Sequence, residues 1–196
     1  MTIMVSVSRR NFGVILGGLL GTAALAACTS TKDSNGNTVV SISVAKIDAY
    51  AQAIVNGADS LLGSATVVKI LGASNVALVK KYATDVSTFL AQFDAATKGV
   101  TVITWNDKTA VSVAQSILTT AQNLLAVIQD TISAAQLADI PSSVSDIVSA
   151  IRTVVSLLQA LLTVTLGASA QQVKAVITPT MTEEQALHIL HVAVPE

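Results

Sequence analysis

The chain has 196 residues, 52% of them hydrophobic and only 12% charged, and its 11 Lys plus Arg nearly balance its 12 Asp plus Glu. That balance argues against a polyanionic partner, and three Phe, two Tyr and one Trp give no platform on which nucleic-acid bases could stack. Cys28 is the single cysteine, which excludes an internal disulfide and leaves stability to a buried core.

The N-terminal stretch reads as an address. Ser8, Arg9, Arg10 and Phe12 lead into a weakly hydrophobic segment, Gly13 to Ala27, too short and too rich in Gly and Ala for a spanning helix of about 20 apolar residues. This arrangement resembles the twin-arginine export signal of bacteria. Gly13 and Val14 stand where that family usually carries Leu and often Lys, so the general secretory route is the alternative. Leu25-Ala26-Ala27-Cys28 resembles a bacterial lipobox. The resemblance implies cleavage before Cys28 once its thiol carries diacylglycerol, then triacylation, which anchors stably at about 0.8 kcal/mol per buried methylene. Thr29, rather than Asp, follows the cysteine, which implies the periplasmic face of the outer membrane in a Gram-negative host. Cleavage leaves 9 Lys plus Arg against 12 Asp plus Glu, a net charge of -3, on a chain of about 170 residues, enough for one core.

The expected division is a signal peptide over 1–27, a lipidated cysteine and flexible tether over 28–43, and a helical domain over 44–196. Thr29 to Thr38 holds no large apolar residue to offset its ordering entropy. As a tether of about ten residues it would span roughly 15 to 20 Å and lift the domain clear of lipid headgroups. Val40, Ile42 and Val44 alternate, so the approach to the first helix has a short strand as its alternative.

Helical spacing then takes over. A first helix over about 44–71 places Ile47, Ala51, Ile54, Ala58, Leu61, Leu62, Ala65 and Val68 on one stripe, with Gly57 and Gly63 as points of bending or splitting. Gly72 and Ser74 supply a stop and a cap, and a second helix with Val79, Ala83, Val86, Phe89 and Phe93 inward closes at Gly99. After β-branched Val100 to Trp105, Asn106 or Asp107 caps a third helix to about Ala138, with Ile117, Ala121, Leu124 and Ile128 inward and Ser112, Gln115, Ser116, Thr119 and Gln122 outward. Residues 109–129 carry no charge, yet this polar face speaks against a lipid-spanning helix. Pro141 breaks the chain and Ser142 or Ser143 opens a fourth helix, with Ile151, Val155 and Leu158 inward and Ser149, Arg152, Ser156, Gln159 and Thr163 on its far face. A Leu-Gly-Ala-Ser linker at 166–169, a helical stretch to about Ile177 and Pro179 follow. Thr182 to Gln185 then forms a capping box for a last helix that Leu187, Leu190 and Val194 dock on the rest. The expected fold is all-α, an antiparallel bundle of about four long amphipathic helices with a short C-terminal helix.

Chemistry is sparse. Glu184, His188 and His191, at i, i+4 and i+7 of the last helix, are the one clustered set of metal-ligand types, and a solvated helix face explains them without a metal. Neither a Gly-x-Ser-x-Gly element nor a phosphate-binding glycine loop occurs in the sequence. The expectation is no enzyme and no cofactor, but an envelope lipoprotein whose bundle binds a protein partner or its own copies. The alternatives are a carrier or sensor of an apolar ligand held between helices, and a membrane-perturbing bundle.

Overall fold

The computed structural model describes residues 28–32, 38–134, 141–165 and 179–192. The signal segment 1–27, the linker at 166–169, the stretch to Ile177 and Val194 lie outside the described residues. Four long helices and a short fifth run in the expected order: α1 (Val44–Leu62), α2 (Ala65–Ala96), α3 (Lys108–Ala134), α4 (Ser142–Thr165) and α5 (Glu183–Ile189).

Contacts between side chains fix the directions. Asp48 near the start of α1 meets Asp94 near the end of α2, Asn75 of α2 donates to Thr131 of α3 at 3.0 Å, and Gln122 of α3 reaches Gln159 of α4 at 3.5 Å. α2 and α3, and α3 and α4, are thus antiparallel, the end of α2 returns to the start of α1, and α4 closes back on α1. The inward stripes meet as one core, with Ile47, Ile54, Leu61, Val79, Val86, Phe93, Ile117, Leu124, Ile128, Ile151, Val155 and Leu158 all buried. Each contributes about 1.5–3 kcal/mol relative to an exposed side chain of its kind. Gly57 marks the closest approach of three helices: a Cβ there would lie 2.7 Å from Ile151 of α4 and 2.9 Å from Leu190 just beyond α5. Glycine is present to let the Ile151 and Leu190 side chains pack against the backbone of α1 rather than to bend it.

The first break falls earlier than the spacing predicts. Helix α1 ends at Leu62, and the Ser64 hydroxyl caps α2 by accepting from the Val67 amide at 3.4 Å. Gly72, expected as the stop, does interrupt the helix: it is non-helical at φ 70° and ψ 163°, a conformation open to glycine, and α2 is two helical pieces that meet at a kink there. The chain turns by 102° between α1 and α2. That turn moves Leu62, Ala65 and Val68 off the inward stripe and brings Val67 and Leu71 into the core instead.

The tether expectation is corrected as well. Cys28–Lys32 is a strand, β1, paired antiparallel with β2 (Thr38–Ser43), which pairs in turn with β3 (Val102–Thr104) in a sheet of order β1-β2-β3. Cys28 stands opposite Ile42, and Ile42 opposite Ile103. Ile42 and Ile103 are buried, so β2 and β3 gain from the core. The Thr-rich β1 is held by its ladder, since backbone groups pair without needing large side chains. Strand β2 runs straight into α1, where the Val44 amide donates to the Thr101 carbonyl at 3.0 Å. The sheet therefore caps the end of the bundle where α1 begins, α2 ends and α3 begins.

Helix α4 is buried nearly all round from Ala150 to Leu158. Its far face is half-buried or buried rather than solvated, because α3 covers it on one side while α1 and α5 pack on others. With the Gln129 amide oxygen turned toward the guanidinium, it accepts from Arg152 at 2.7 and 2.9 Å. The Ser156 and Thr163 hydroxyls donate to the Arg152 and Gln159 carbonyls of their own helix.

Candidate functional site

The outward face between α2 and α3 is built from small polar residues and little charge. A surface groove of about 320 Å³ runs there, lined by Phe89, Ser112, Gln115, Ser116, Thr119 and Thr120. Two of its hydroxyls, those of Ser116 and Thr119, are bonded to their own helix. Ser116 donates to the Ser112 carbonyl at 3.1 Å and Thr119 to that of Gln115 at 2.9 Å, and Ser87 and Thr88 do the same on α2. Hydroxyls bonded to the carbonyl four residues back have spent their donors, so what they present is methyl, methylene and lone-pair surface. The face is polar in sequence, and in structure the Ser116 and Thr119 protons are committed to their own helix. Two further depressions, about 610 Å³ along α5 and about 540 Å³ between α1 and α2, also open to solvent. Neither they nor the groove form an enclosed chamber for an apolar ligand.

Lys80 and Lys81 lie on the outer side of α2, where Lys81 pairs with Asp85 one turn on at 2.6 Å, as a solvated helix face would.

Helix α5 opens as its sequence predicts. The Thr182 hydroxyl accepts from the Gln185 amide at 3.2 Å, and the Gln185 side chain accepts from the Thr182 amide at 3.0 Å. Glu184 and His188 lie on the exposed side beside the 610 Å³ depression, but His191 does not join them. The helix ends at Ile189, and His191 sits beyond it at φ 57°. There the Val192 amide donates to the Leu187 carbonyl at 3.0 Å and the His191 amide to that of His188 at 3.2 Å, a left-handed stop that usually takes glycine. The i+7 relation fails because burying Leu190 ends the helix first. Among the described residues no three of His, Cys, Asp or Glu are grouped to hold a metal ion. Replacing His191→Gly is expected to raise stability by about 0.5–1 kcal/mol, since the left-handed strain of a side chain exceeds the added entropy of a glycine. The urea midpoint reads it, and an unchanged or lowered midpoint would show that the imidazole makes a compensating contact.

Sequence reasoning missed two polar sites. Lys46 and Tyr50 of α1 both bond Glu183 at the head of α5: Lys46 Nζ lies 3.1 Å and the Tyr50 hydroxyl 2.9 Å from Glu183 Oε1. These residues tie the C-terminal helix to the first, and nothing in their spacing announces it. The second is Asp48 against Asp94. Desolvation first, then the Asp94 charge and the hydrogen bond between the two, push Asp48 from 3.8 up to about 6. Its Oδ1 is buried with no hydrogen-bond partner among the described residues.

A pKa raised in the folded state means that the fold favours the protonated acid. The stabilisation is complete below 3.8 and is lost as pH rises through about 6. A half-buried carboxyl is partly screened, so the loss is well under the 1.4 kcal/mol per unit of a fully buried one and comes to about 1 kcal/mol. Asp48→Asn is accordingly expected to raise the thermal midpoint at neutral pH and to remove the decline between about pH 4 and about pH 6. A variant that keeps the wild-type pH profile would assign that decline to other groups.

No family model matches the chain, and neither a curated protein nor a solved structure matches it.

Proposed function

We propose that the protein is a lipoprotein of the cell envelope, attached at Cys28, whose helical domain acts by binding a protein, either a partner or a second copy of itself, rather than by catalysis. The observation that carries this reading is the uncharged α2–α3 groove. Its lining of hydroxyl, amide and Phe89 surface includes neither a histidine nor a carboxylate to serve as general base. Because the Ser116 and Thr119 hydroxyls are bonded within their own helix, covering them costs little desolvation, and Phe89 supplies an aromatic anchor of the kind that concentrates at interfaces. A net negative charge after cleavage keeps nucleic acid off the list of partners. With Thr29 rather than Asp after the cysteine, the lipobox resemblance favours the periplasmic face of the outer membrane if the host is Gram-negative.

The test is a photo-crosslinking residue placed at Thr119 in producing cells, with exposed Asp146 at the start of α4 as the control position. A discrete adduct from Thr119 is expected, at twice the chain's mass if the partner is a second copy, and Thr119→Lys beside a probe at Ser116 should abolish it with helicity unchanged. Equal labelling from both positions would sink the groove as a binding surface.

A second reading, insertion into lipid, is favoured by one observation. Lys108–Ile132 and Ser142–Thr163 are long and apolar enough to cross a membrane by length and composition, and hydroxyls bonded to their own carbonyls are a form in which Ser and Thr enter lipid. Dye leakage from vesicles on addition of unacylated protein would support it and count against the groove as a protein surface.

A further inference from the structure

Helix α5 lies in the cleft between α1 and α4 and runs alongside α1 in the same direction. At its head Glu183 accepts from Lys46 Nζ at 3.1 Å and from the Tyr50 hydroxyl at 2.9 Å. Just past its end the Leu190 carbonyl accepts from the Asn56 amide at 3.1 Å, and the Leu190 side chain packs over Gly57, beside Ile151 of α4. Polar contacts at both ends thus fix where the helix sits, and Ala186, Leu187 and Leu190 are buried in the cleft. A helix of seven residues has no stability of its own, so α5 is helical because the cleft holds it.

The cleft in turn requires an α5. The Lys46 side chain is only 13% exposed, and among the described residues Glu183 is the acid paired with it. Without Glu183 the ammonium stays buried with no counter-charge, which is strongly unfavourable. Nothing in these contacts depends on which chain supplies α5. What ties the helix to its own bundle is residues 166–182, between Thr165 at the end of α4 and Glu183. Helix α4 is antiparallel to α3 and so ends at the sheet end of the bundle, the same end at which Lys46 and Tyr50 receive Glu183. The connection joins two points at one end of the molecule, yet its 17 residues reach as far as about 55–60 Å when extended, against roughly 30 Å across a small domain.

We infer that the cleft between α1 and α4 is a self-association surface: when copies of this chain are crowded, α5 of one docks in the cleft of the other, and the exchange is reciprocal. This surface is separate from the α2–α3 groove, and the exchange does not depend on it. The closed monomer and the exchanged pair form the same contacts, with the two clefts as equivalent halves of a symmetric dimer. Only the closure of the connection separates the two states. A tethered group meets its own site at an effective concentration on the order of 1 mM, so exchange sets in as the local concentration of copies reaches that range and recedes on dilution. The helix can leave without unfolding the bundle, because the four long helices share a core to which it adds only Ala186, Leu187 and Leu190 as buried residues.

The experiment reverses the charges of the pair. Lys46→Glu and Glu183→Lys are made singly and together in the full chain, purified in detergent from producing cells, and mixed at about 50 µM, well below the millimolar range. Each single variant meets a like charge at its own cleft, whereas the two together meet opposite charges at both clefts of an exchanged pair. Native mass spectrometry is expected to show a heterodimer in excess of either homodimer by about tenfold or more. Amide exchange should show α5 protected in the mixture and open in each single variant alone. The double variant closes on itself and stays monomeric. Mixed with the wild type it offers only like charges between chains, so it should give no heterodimer. A heterodimer in that last mixture would assign association to another surface, and monomers alone from the two single variants would show that α5 does not exchange; either result overturns the inference. Should a single variant fail to fold by itself, the two are refolded together from urea, where a heterodimer is again expected. Failure of that pair to refold where the wild type does overturns the inference as well, since every contact is available between chains.

Discussion

Replacing Glu183→Ala is expected to destabilise the protein by about 2–4 kcal/mol and to release α5 before the bundle unfolds. Glu183 is 8% exposed, and it accepts from Lys46 at 3.1 and 3.3 Å and from the Tyr50 hydroxyl at 2.9 Å. Losing the carboxylate strands an ammonium whose side chain is only 13% exposed and removes an acceptor from a phenol that is buried at 1%. Desolvation is then unbalanced, and α5, with only seven residues, cannot hold itself as an isolated helix. What is left to tie it is the Asn56 amide on the Leu190 carbonyl at 3.1 Å and the packing of Ala186, Leu187 and Leu190. Chemical denaturation should show the loss, and amide exchange should show α5 opening first. A double replacement, Lys46→Met with Glu183→Leu, is expected to recover most of it, because an apolar pair avoids the cost of burying two charges. If the double variant were as unstable as the single one, packing around Glu183 rather than its charge would be what matters.

The all-α fold was legible because burial follows the three-to-four spacing: Ile47, Ile54 and Leu61 on α1, or Ile117, Leu124 and Ile128 on α3, are both the predicted stripe and the observed core. The capping box at Thr182 was legible for the same local reason, since its two hydrogen bonds close within four residues. The breaks at Gly63 and Gly72 were legible as positions, since both interrupt the helix. Which of them separates α1 from α2 with a turn of 102° was not, because that depends on how α2 lies against α1, which is tertiary. Of the strands only β2 was foreshadowed, as the alternative that the alternation of Val40, Ile42 and Val44 offered, and the pairings were not legible. Ile42 needs Ile103 opposite it and Cys28 on its other side, pairings that no local pattern specifies. Asp48 and Asp94 each look like ordinary surface carboxylates until α1 and α2 are laid antiparallel. The polar far face of α4 misled in the opposite sense, since a stripe of Ser, Gln and Arg reads as solvated but is covered when partners such as Gln129 and Gln122 face it. As for the candidate site, Ser112, Gln115, Ser116 and Thr119 form an outer face of α3 as expected, whereas Gln122 turns to Gln159 of α4, and the bonding of Ser116 and Thr119 within their own helix needed atomic positions.

Cys28→Ser is expected to leave an uncut precursor of full length with no lipid, and so to abolish membrane attachment rather than weaken it. The thiol is the acyl acceptor that the lipobox resemblance assigns, and in that scheme cleavage waits on acylation. Two or more acyl chains hold a protein to a bilayer far more tightly than exposed side chains can. The substitution is also unusually clean. Cys28 joins the sheet through its backbone register with Ile42, and serine supplies the same amide and carbonyl, so β1 can form in the variant. A defect in attachment with an unchanged circular dichroism spectrum is then a defect of the anchor, not of the fold. Mass spectrometry of the membrane fraction decides it: wild-type protein should begin at a modified Cys28, and the variant should begin at or near Met1. Arg9→Lys with Arg10→Lys should separately block export if the twin-arginine route is used, while undiminished export would assign the general route and leave the anchor untouched. A wild-type mature N-terminus at any other residue, carrying no lipid, would remove the anchor.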